Sequence, residues 1–143
     1  MSTRGEPSAI DDFDETDNSR IYELNAGAMG RQDWSLAAFF IRMPSRPEAV
    51  CGDVWNHFAV HPTVAGDHKK LARHALSHLG TGFLIGLSNY EDDLKEAAAA
   101  ILRMTDWDFR SGDHFVMGPD RQKIVKVLGA HMIMNSTGAR HGG

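Results

Sequence analysis

Residues 88–103 constrain the fold more than any other stretch, because they read as a helix before any tertiary contact is considered. Ser88-Asn89-Tyr90-Glu91 has the spacing of a capping box, in which a hydroxyl and a carboxylate three residues on satisfy free backbone N–H groups. Glu91, Asp92 and Asp93 fall in the first turn and Arg103 in the last, the placement a helix dipole favours. Leu94, Ala97, Ala98, Ile101 and Leu102 recur at three-to-four spacing, and the alanines at 97–100 are strong helix formers. A helix with such a stripe must bury it against something, and the rest of the chain is read for partners.

Other segments carry similar patterns. Asp33 can cap a helix through Met43, with Trp34, Ala37, Ala38 and Ile41 on its buried face and Pro44 as its stop. Ser45-Arg46-Pro47-Glu48 is a second capping box, with proline in the first turn. It opens a helix to about Val60 that buries Val50, Val54 and Phe58. A third helix begins at Asp67 and buries Leu71, Ala72, Ala75, Leu76 and Leu79; it either breaks at Gly80 or, the preferred reading, runs on through Phe83 and Leu87. There Gly82 and Gly86, four apart, let a neighbouring helix approach. Trp107-Asp108-Phe109 and His114-Phe115-Val116-Met117 alternate across Ser111-Gly112 as a hairpin. Gly118-Pro119-Asp120 opens the last helix, with Ile124, Val127, Leu128 and His131 on one side. The fold class expected is mainly α: a compact bundle of about five helices, with a short β-hairpin before the last.

A length of 143 residues is ordinary for one domain with its own core. Residues 1–19 hold six acidic side chains against Arg4, so they read as a disordered acidic leader. The domain is expected over 20–135, followed by a flexible Gly-rich tail over 136–143. With the leader set aside the body is nearly neutral, which gives no electrostatic case for nucleic acid as the main partner. A single cysteine, Cys51, fits a reducing compartment and reads as buried and structural. No apolar run is long enough for a bilayer, so the location expected is cytoplasmic, with no membrane partner.

Eight histidines are the one compositional oddity. His57 and His61 are four apart on the second expected helix, and His74 and His78 are four apart on the third. Helical spacing would put each pair on one face. If the two helices packed antiparallel, the four would converge on zinc or another divalent ion that activates water. A metal-binding protein or metal-dependent hydrolase is therefore the alternative reading, and a DNA-binding module through Lys69, Lys70 and Arg73 or Arg121, Lys123 and Lys126 is the third. Against the metal stands the absence of a His-Glu-x-x-His motif or any third ligand at a known spacing. The chain shows no complete catalytic constellation and no phosphate-binding loop; Gly80-Thr81-Gly82 lacks the preceding strand such a loop needs. No cofactor and no catalytic residue is assigned.

The preferred function is a non-enzymatic protein-interaction module, an inhibitor or accessory subunit, whose partner is another protein or a second copy. Trp34, Phe39, Phe40 and Trp55 supply the interface anchors, because they spread apolar surface over a wider arc than one core contact needs. Phe83-Leu84-Ile85-Gly86-Leu87-Ser88-Asn89, followed by Ala100-Ile101-Leu102-Arg103-Met104-Thr105, resembles small uncharacterised helical domains encoded on bacterial plasmids and prophages. What the resemblance implies is an accessory protein of a mobile element acting on a host or partner protein; it carries over no functional residue.

Overall fold

The computed structural model describes residues 17–64, 71–110, 120–131 and 134–135. The leader as far as residue 16, the expected helix start at Asp67, the second arm of the expected hairpin and the tail lie outside them.

The architecture corrects the expected bundle. The described residues form an antiparallel sheet whose strands lie in chain order: β1 (Ser35–Ile41), β2 (Glu48–Trp55), β3 (Phe58–Pro62), β4 (His74–His78), β5 (Leu84–Ser88) and a two-residue β6 (Met134–Asn135). A short α1 (Ile21–Leu24) precedes the sheet, and α2 (Glu91–Ile101) and α3 (Arg121–Ala130) follow β5. Both α2 and α3 lie where the apolar stripes put them; α2 buries Leu94, Ala97, Ala98 and Ile101, and α3 buries Ile124 and Leu128. The capping box at the head of α2 does not form. The helix starts after Tyr90, and the Ser88 hydroxyl accepts from the Tyr90 N–H at 3.1 Å.

Three expected helices give strands instead. The first alternates along the chain, as a strand with one face on the core does. In β1 the inward residues are Ala37, Phe39 and Ile41, while Leu36 and Ala38 are exposed. In the second segment Gly52 is a poor helix residue, and Asn56 adopts φ +57°, the left-handed conformation asparagine tolerates, in a tight turn joining β2 to β3. In the third, Leu79 to Phe83 turn the chain back. The Gly82 N–H donates to the His78 carbonyl at 2.7 Å, and Gly82 has φ +74°. The two glycines read as a helix contact are the turn and a strand position of a hairpin.

The main core lies between the sheet and the helices, where Phe58, Val60, Leu76 and Ile85 meet the buried stripes of α2 and α3 and Trp107. A smaller cluster on the other face gathers Ala28, Phe39, Ile41, Val54, Ala59 and Leu79. A third joins Ala72, Ala75 and Leu87. Among the described residues, no helix is long and apolar enough to cross a membrane.

Candidate functional site

Of the described helices α2 lies against β3, β4 and β5, and none of them covers the same face of β1 and the far part of β2. Directly paired residues of antiparallel strands share a face, so the register places Leu36 beside Asp53, Ala38 beside Cys51 and Phe40 beside Ala49 on this open wing. Leu36 is 76% exposed, Ala38, Ala49 and Cys51 are exposed, and Phe40 is half-buried. Cys51, expected in the core, is thus on the surface.

The wing ends in aromatic and charged groups that tie it to the body. Trp34 and Trp55 are half-buried with ring centroids 5.5 Å apart, and Trp55 in turn stacks on core Phe58. Its indole N–H donates to the Gln32 carbonyl at 3.1 Å, which fixes the ring. Lys95 of α2 bonds Asp53 at 2.7 Å and sits 5.3 Å from the Trp34 ring centroid, closing the boundary between helix and wing.

β1 is also an edge strand. Its outward backbone groups are identified by Phe40, whose N–H donates to Asn25 Oδ1 at 2.7 Å and whose carbonyl accepts from Asn25 Nδ2 at 2.9 Å. Arg42 faces the same way, donating its N–H to the Gly82 carbonyl. Two residues back each time, Leu36 and Ala38 point in that direction too, and no described residue bonds them there. Edge strands are ordinarily blunted by charge, proline or a bulge. Ser-Leu-Ala-Ala-Phe-Phe-Ile has neither charge nor proline, and its pairing with β2 runs without a shift.

Of the interface anchors named from sequence, the structure brings Trp34, Phe40 and Trp55 to the wing and buries Phe39 on the opposite face, at 2% exposure. Leu36, Ala38 and Cys51 were missed. Strand alternation is the signal for them, since a helical reading places Leu36 off the stripe.

The four histidines do not share a helix face, since the helices that premise needs are strands. His57 lies in the β2–β3 turn with its ring centroid 6.3 Å from that of His78. His78 is buried, its ring nitrogens within 2.9 Å of the Thr81 hydroxyl and 2.7 Å of the Trp107 carbonyl oxygen. His74 is half-buried, its Nδ1 3.6 Å from Glu91. His61 is buried on the other face, with Nδ1 2.8 Å from the Pro62 carbonyl and Nε2 2.8 Å from the Ser77 hydroxyl. Among the described residues, no three His, Cys, Asp or Glu side chains converge as a metal site would require.

The bonds of His61 fix its chemistry. A carbonyl only accepts, so Nδ1 carries the proton and the Ser77 hydroxyl donates to Nε2. Burial holds the imidazole below its ordinary value of 6.5, against the opposing pull of the Pro62 carbonyl. The unfolded chain therefore takes up a proton that the folded one refuses. Its contribution to stability is complete above that ordinary value and is lost as the pH falls below it. Urea titrations at about pH 7.5 and about pH 5.5 are expected to show the acid loss, and His61→Gln to make it smaller. An unchanged loss in the variant would assign it to other groups.

No protein-family model, curated protein or solved structure matches the chain.

Proposed function

We propose that the chain is a non-enzymatic protein-interaction module, an inhibitor or accessory subunit acting in the cytosol, that receives an extended segment of another protein along β1. The observation that carries this reading is the coincidence of exposed apolar side chains at Leu36 and Ala38 with a backbone edge that no described residue bonds there. In strand addition, main-chain hydrogen bonds supply affinity and alternate side chains supply selectivity. Leu36 and Ala38 offer both on one short stretch, and Phe40, Ala49 and Cys51 extend the apolar floor behind them. The absence of charge on β1 selects an apolar strand over an acidic or basic one. The Asn25 side chain, already bonded to Phe40, sets where the added strand must stop.

A photo-reactive residue at position 36, with another on exposed Asp92 of α2 as control, tests this in the source cell. A discrete adduct is expected at position 36 and none at 92. Adding Ala38→Arg, which puts charge on the edge, is expected to reduce the adduct by about tenfold or more. An adduct of twice the chain's mass would identify a second copy as the partner. No adduct, or equal adducts at both positions, would end the proposal.

A further inference from the structure

On the sheet face turned away from α2 and α3, the apolar clusters leave a cavity of about 190 Å³ between them. An apolar cavity of about 150 Å³ is enough to take up a benzene ring, so this one accommodates a ring or branched chain with a small substituent. Ile41, Val64, Ala75 and Leu84 form apolar walls.

Two features give the cavity polarity. One part of its lining is the His61–Ser77 pair. His61 has both ring nitrogens engaged, and burial disfavours its charged form. Gly52 lets the root of the His61 side chain approach β2, since a Cβ there would lie 2.9 Å from His61 Cβ. Arg42 also lines the cavity. Its guanidinium carbon lies 4.6 Å from the Phe83 ring centroid. A guanidinium beside an apolar cavity is best matched by an anionic acceptor, which it binds through charge-assisted hydrogen bonds. The acid whose carboxyl responds to Arg42, Asp17, is fully exposed and is held low first by the Ser19 N–H.

We infer that this cavity binds a small amphipathic carboxylate, with its apolar body against Ile41, Val64 and Leu84 and its carboxylate on Arg42. The inference is independent of the proposed strand addition, which uses the other face and the edge of β1.

Calorimetric titration of the full chain with phenylacetate, phenylacetamide and benzylamine tests it. Phenylacetate is expected to bind with a Kd of about 1 mM or tighter, the amide about tenfold more weakly, and the amine not at all. Phenylacetate should also shift the His61 imidazole resonances, which locates it in this cavity. Arg42→Gln is expected to weaken phenylacetate about tenfold, removing its preference over the amide. Ala75→Leu, which fills the cavity, is expected to abolish binding while the circular dichroism stays native. Silence of all three probes at millimolar concentration would overturn the inference. So would equal binding of acid and amide by the unaltered protein, a comparison that needs no variant to fold.

Discussion

Trp107→Ala is expected to cost about 3 to 5 kcal/mol of folding stability, enough to leave a domain of this size marginal or unfolded. Trp107 is 2% exposed and packs edge-on against Phe58, with ring centroids 5.0 Å apart. Its indole N–H donates to the Ile101 carbonyl at 3.0 Å, satisfying an acceptor at the end of α2. Its own carbonyl oxygen lies 2.7 Å from His78 Nε2. One side chain therefore joins the end of α2 to the centre of the sheet, and its loss opens a cavity and orphans a carbonyl together. Trp107→Phe keeps a ring but not the donor and is expected to fall between the two. Urea unfolding followed by far-ultraviolet dichroism gives the numbers; a loss under about 1 kcal/mol in Trp107→Ala would show that the core closes without it.

Gly52→Ala is expected to cost about 3 kcal/mol, although it adds one carbon. A Cβ at Gly52 falls on the Val60 carbonyl oxygen, a backbone atom of the neighbouring strand, so the strand itself must move. The register Asp53↔Val60 and Val54↔Ala59 holds that strand in place, so relief means loosening the β2–β3 ladder. Gly27→Ala is the control, because nothing lies within 4 Å of its added carbon. It is expected to be neutral or slightly stabilising through the unfolded chain. Equal melting of the two variants would mean that β2 and β3 approach less closely than described.

Gly52 also shows why sequence alone led to a helical bundle. Val50, Val54 and Phe58 stand four apart, and so do members of a strand face, because four is a multiple of two as well as close to one helical turn. Pro44 and Pro62 end a strand as readily as a helix. Gly52, Asn56 beside a turn, and the glycines around Thr81 separate a strand from a helix here. Each is expensive inside a helix and natural in a hairpin. For α2 no such conflict exists: alanines at 97–100 and three acids in the first turn have no use in a strand. The aromatic excess pointed to the wing through Trp34, Phe40 and Trp55, yet placed Phe39 with them because helical neighbours share an arc whereas strand neighbours face apart. Arg42, His61 and Ser77 left no local signature. Their proximity depends on the cross-strand register His61↔Ala75 and Ala59↔Ser77, which no spacing within one segment encodes.

The identity of strand order and chain order has a consequence for synthesis. As the chain leaves the ribosome, each strand from β2 to β5 meets its permanent neighbour in the strand just completed, so the ribbon can lengthen without waiting for distant sequence. Only β6 breaks this rule, returning past α2 and α3 to pair Met134 with Leu87. Growth proceeds from one side and is finished at the other. The margin at β1 is the oldest part of the sheet, and nothing synthesised later among the described strands comes back to close it.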